Sequence, residues 1–84
     1  MLVWIICEKW ENINTNGSSV LGVYQTREKA LDVLDELYAY QCRHYTKVYG
    51  EGNFVAARMT NCIMLDYPKG KDVTQMYIVE REVN

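Results

Sequence analysis

One histidine, one proline and one phenylalanine stand among 84 residues, and each scarcity excludes something. With His44 the only imidazole, a metal centre built on several histidines is out of reach, and the cysteines do not make up the deficit. Cys7, Cys42 and Cys62 are odd in number and far apart, a pattern that fits neither a disulfide framework nor the CxxC spacing of a zinc site. They read as reduced cysteines of the core or its edge. No GxGxxG, P-loop or GxSxG sequence occurs, so the local signatures of phosphate cradling and of the nucleophile elbow are missing. The opening MLVWIIC is far shorter than the roughly 20 residues of a membrane span, and it lacks a basic leader and a small-residue cleavage site. The expectation is a soluble cytoplasmic chain with no membrane partner and no cofactor.

Charge of one sign is also lacking. Nine basic residues against eleven acidic ones leave a net charge of -2, too even for the general attraction to phosphate that supplies most non-specific nucleic-acid affinity. A chain of this length supports one core and buries roughly 60% of its unfolded surface. One domain over residues 1–84 is expected, of modest stability, with a second copy as a candidate partner.

The residues that are present divide into readable segments. LVWIIC is apolar at both parities, as an interior strand covered on two faces would be, and Glu8 and Glu11 mark where it reaches water. NINTNGSS is rich in turn formers, with Asn16 and Gly17 suited to positive φ, so the chain should reverse and return as VLGVY. Thr26 is a natural N-cap, Glu28 complements the positive end of the helix dipole, and Lys29 stands where a capping-box glutamate would be. At 100° per residue Ala30, Leu34, Leu37, Tyr38, Gln41 and Tyr45 share one stripe. A helix from Arg27 to about Lys47, roughly 30 Å long, would cross a sheet of about four strands.

Gly50 and Gly52 should end that helix. In FVAARMTNCIMLDY the alternation of Val55, Ala57, Met59, Ile63, Leu65 and Tyr67 predicts one long strand over 53–66, with Thr60 and Asn61 as the place for a bulge. PKGK supplies a turn and DVTQMYIVEREV a final strand. The fold class expected is α+β, in ββαββ order, with an antiparallel sheet and one long amphipathic helix on one face. Because the first strand is apolar on both sides, the second face should be covered in part, either by a dimer mate or by the segment 53–60.

The stretch GVYQTREKAL, with Gly22, Val23, Tyr24, Thr26, Glu28, Lys29 and Ala30, resembles the G-V/I-Y/F-x-S/T-x-E-K-A passage of small phage and prophage proteins of unknown function, where it leads from the second strand into the helix. The resemblance covers about ten residues well and the rest in outline. It implies a phage accessory protein working in a bacterial host cell, a setting in which many small chains bind and block a host protein such as a defence component. No functional residue is carried over from it.

Cys42 and His44 would lie about 200° apart on a helix, which excludes a local thiol–imidazole pair. His44 falls on the apolar stripe and reads as a hydrogen-bonded histidine at the core edge. EGNFVAARM has a trace of an RNA-recognition strand in Phe54 and Val55 but lacks the leading basic residue and the second aromatic. The chain is therefore expected not to be an enzyme.

Two features point to protein binding. Asp32, Asp35 and Glu36, with Glu28, gather acidity in the first half of the helix, while Arg43 and Lys47 occupy the second. Seven tyrosines and two tryptophans against one phenylalanine favour rings with a polar end, the kind enriched at interface hot spots. Trp10, Tyr40 and Tyr49 are the candidate anchors beside the acidic set. The function expected is a non-enzymatic interaction module that binds a bacterial protein. The alternative is a nucleic-acid-associated regulator using the sheet face or the PKGK turn, a reading that the charge balance disfavours.

Overall fold

The computed structural model describes residues 1–84. Strand β1 (Leu2–Glu11) and β2 (Asn16–Tyr24) form a hairpin, helix α1 (Arg27–Tyr49) follows, and β3 (Val55–Arg58), β4 (Cys62–Tyr67) and β5 (Asp72–Glu82) complete the chain, with a 3-10 turn at Pro68–Gly70. All strands pair antiparallel, in the order β2-β1-β5-β4-β3. The α+β class holds, with five strands in place of about four and the order ββαβββ.

The added strand comes from a reversal at Thr60–Asn61, where one long strand or a bulge was expected. The Met59 amide donates to the Cys62 carbonyl at 2.8 Å, and Arg58 pairs in register with Ile63. The turn carries no glycine or proline because side chains hold it: Arg58 donates to the carbonyls of Met59 and of Thr60, and Arg27 donates to Asn61 Oδ1 at 3.1 Å. The reversal flips the parity of the segment. Ile63 and Leu65 face the helix, whereas Val55 and Ala57, expected on their side, face away.

The first turn also differs. Asn12 organises it, its Oδ1 accepting the amides of Asn14 and Thr15 at 2.9 and 3.0 Å, an Asx arrangement. Positive φ among the glycines is confined to Gly50 and Gly52, so Gly17 has another use. It lies in β2 opposite Trp10, where a Cβ would collide with the indole ring.

Helix α1 starts as its sequence indicates, with Thr26 Oγ1 accepting the Lys29 amide at 3.2 Å. It runs to Tyr49 and closes on Gly50, at φ 90°, whose amide donates to the Thr46 carbonyl. Its buried side chains, Ala30, Leu34 and Tyr45, pack on Ile6, Ile63, Leu65 and Met76 of the sheet. In register terms these sheet residues belong to one face, and the opposite face carries Val3, Ile5, Cys7, Val20, Val23, Tyr77 and Val79 with no element of the chain over it. Residues 53–60, expected as a cover, instead form the β3 edge of the sheet and the start of the turn. The molecule measures 44 × 24 × 16 Å, and the short dimension leaves room for the sheet and one helix layer, since layers pack about 10 Å apart.

Candidate interaction surface

The acidic residues of α1 do not behave alike. Asp32 and Glu36 lie exposed on its solvent side and enter no ion pair, whereas Asp35 accepts from Arg58 Nε at 2.9 Å and ties the helix to β3. The same guanidinium thus serves the Thr60–Asn61 turn and the helix, which gives Asp35 a structural task.

Tyr40 is 57% exposed on the outer side of α1, its ring parallel to the His44 imidazole with centroids 6.3 Å apart. Together with Arg43 and Lys47 these two line an open groove of about 220 Å³. His44 is therefore a surface residue and not the core-edge histidine expected. The physical reason is the oblique crossing of helix and sheet: contact passes from Ala30 and Leu34 to Tyr45 and Tyr49, which lie further round the helix, and His44 is carried outward. The spacing i, i+3, i+4, i+7 of Tyr40, Arg43, His44 and Lys47 made this groove readable as one face, a signal the apolar stripe obscured. Cys42, half-buried, is separate from His44 as the helical geometry required. Burial, and then the neighbouring Cys42 thiol, push the Tyr38 hydroxyl above the ordinary tyrosine range.

Tyr49 belongs to a different arrangement. Its hydroxyl donates to Asp72 Oδ2 and its ring stacks on Tyr67 at 3.9 Å. Tyr45 reaches the same carboxylate at 3.3 Å and the buried Thr74 hydroxyl at 2.9 Å. The Asp72 hydrogen bond pushes Tyr49 up to about 12, and burial pushes Tyr45 up to about 12, so both hydroxyls stay protonated donors at neutral pH. This latch joins the last turns of α1 to the start of β5, and it uses Tyr49 within the fold.

Trp10 lies at the hairpin end of β1, in register with Thr74 and half-buried against Gly17. It borders an open depression of about 390 Å³ with Lys9, Glu11, Asn16, Ser18 and Gln75. Asp32 and Glu36 lie in the first half of α1, about 20 Å and about 14 Å from Tyr45 by helical rise. The expected residues thus fall into three places: Asp32, Asp35 and Glu36 on the first half of α1, Tyr40 beyond its midpoint, and Trp10 and Tyr49 at the far end. No cluster of three or more His, Cys, Asp or Glu forms, and no helix is long and apolar enough to cross a membrane.

The class the architecture defines is a two-layer α+β protein, one helix on an antiparallel five-stranded sheet. No family model, curated protein or solved structure matches the chain.

Proposed function

We propose that this chain is a small non-enzymatic interaction module of the phage accessory kind, which binds a bacterial host protein, such as a defence component, and inhibits it by occupying its surface. The observation that carries the reading is the solvent side of α1. Asp32 and Glu36 stand there without partners in the chain, Arg43 and Lys47 follow in the second half, and the exposed ring of Tyr40 lies between the two halves. A tyrosine ring flanked by opposite charges offers an anchor together with electrostatic guidance of its orientation.

Asp32 and Glu36 are the informative pair, because Asp35 also holds Arg58. Asp32→Ser with Glu36→Ser should leave the fold within about 0.5 kcal/mol of wild type. Once a partner is isolated from bacterial lysate and purified, stopped-flow mixing at low and high salt gives the decisive comparison. The double variant should associate more slowly and lose much of the salt dependence. Equal rates would remove the helix face from the account.

One observation favours nucleic acid as a second reading. The Tyr40 groove places an aromatic ring beside Arg43, His44 and Lys47, and stacking next to cations is how single strands are held. The net charge of -2 opposes it. A gel shift with single-stranded DNA and RNA that weakens steeply with salt would put this reading first.

A further inference from the structure

We propose that the face of the sheet opposite α1 is covered by a second copy of this chain, packed sheet on sheet about a two-fold axis that crosses the strands at the Cys7–Tyr77 pair. Apolar surface on that face runs from one edge to the other. Val20 and Val23 on β2 are 63% and 59% exposed, Val55 on β3 is 54% exposed, and the half-buried Ile5, Tyr77 and Val79 lie between them. Side chains half-buried by their neighbours alone, in a sheet with no second layer, are the inner face of an unfinished sandwich.

Area favours a protein cover of about this size. A compact monomer of 9.8 kDa exposes about 5,200 Å² by the usual mass scaling, and this chain exposes 5626 Å². The strands hold 10, 9, 4, 6 and 11 residues. At about 4.8 Å between strands and 3.3 Å along them, these make a face of roughly 630 Å². Two such faces together enter the range of roughly 1,200–2,000 Å² that stable interfaces bury.

Charge says that the cover is another copy. The charged residues on this face, by register, are Lys9, Glu11, Asp66 and Arg81, two of each sign. Cys7 pairs with Tyr77 near the middle of β1 and β5. Glu11 lies four positions from Cys7 toward one end, and Arg81 lies four positions from Tyr77 toward the other. A second copy turned end for end about that centre lays β2 over β2 and β3 over β3 and brings each Glu11 over Val3 of its mate, one strand away from the mate's Arg81 and within reach of its long side chain, twice by symmetry. A strongly charged partner finds no net charge here to meet. The resulting assembly has its two helices outside and its two sheets within, leaving Asp32, Glu36 and Tyr40 free.

Sedimentation equilibrium on the full chain, from micromolar to hundreds of micromolar, tests this. The expected mass is twice 9.8 kDa. Val79→Lys, at the centre of the face, should give a monomer with an unchanged far-UV spectrum, while Tyr40→Lys on the helix should leave the dimer intact. Glu11→Arg changes an exposed residue and does not threaten folding. It should weaken dimerisation about tenfold, and adding Arg81→Glu should restore it. A monomeric wild type overturns the proposal, as does a dimer indifferent to Val79→Lys or one that the double charge exchange fails to rescue. Those failures leave the helix-face reading standing, because its association-rate test uses other residues.

Discussion

Asp72 receives two tyrosine hydroxyls, from Tyr45 and Tyr49, and this one carboxylate fixes where the helix ends relative to the sheet. Tyr45→Phe removes the partner of the buried Thr74 hydroxyl as well as one donor to Asp72, and the expected loss is about 1–3 kcal/mol in urea unfolding. The alkaline limb carries the same signature. Both tyrosines are raised from 10.0 to about 12 in the folded chain, so above pH 10 the unfolded chain releases these protons first. Stability from this pair is whole below pH 10 and falls as pH rises toward 12. A Tyr45→Phe, Tyr49→Phe variant should show a shallower alkaline decline than wild type in unfolding curves taken across that window, and an equally steep decline would contradict the latch. From sequence these tyrosines could be ranked only by helical angle. The carboxylate that claims them arrives 23 residues after Tyr49, and no local pattern announces it.

At the scale of elements, what could be read was what local chemistry determines. Thr26 followed by Glu28 and the Ala30, Leu34 and Tyr45 stripe gave α1 its start and its buried side, and the two-sided apolar run of β1 marked an interior strand, which lies between β2 and β5. The Thr60–Asn61 turn was not legible. Period-two alternation runs straight through it, and its carbonyls are satisfied by Arg58, held in turn by Asp35 on the helix. Arg58→Ala should therefore act on one hairpin. About 1–2 kcal/mol of stability is expected to go, and amide exchange should quicken at β3 and at Met59 while β1 and β5 keep their protection. Uniform acceleration across all five strands would show that the guanidinium does not hold the turn. His44 escaped the sequence for a related reason, since the angle at which a helix crosses a sheet is set by the sheet's side chains and not by the helix.

For the whole molecule, the thin two-layer shape assigns different work to its two sides. The sheet side is apolar and carries two charges of each sign, and its proposed cover is a second copy. The helix side is charged, carries the exposed Tyr40 and is the side proposed to meet a bacterial partner. A photo-crosslinking amino acid placed at Tyr40 and, in a separate chain, at Val23 compares the two sides directly, because both positions are exposed and tolerate replacement. Illuminated in bacterial lysate, the Tyr40 probe should join to one host protein, identified by mass spectrometry and lost when Asp32 and Glu36 are serine. The Val23 probe should join to a second copy of the chain. A host protein captured at Val23, with none captured at Tyr40, would contradict the account.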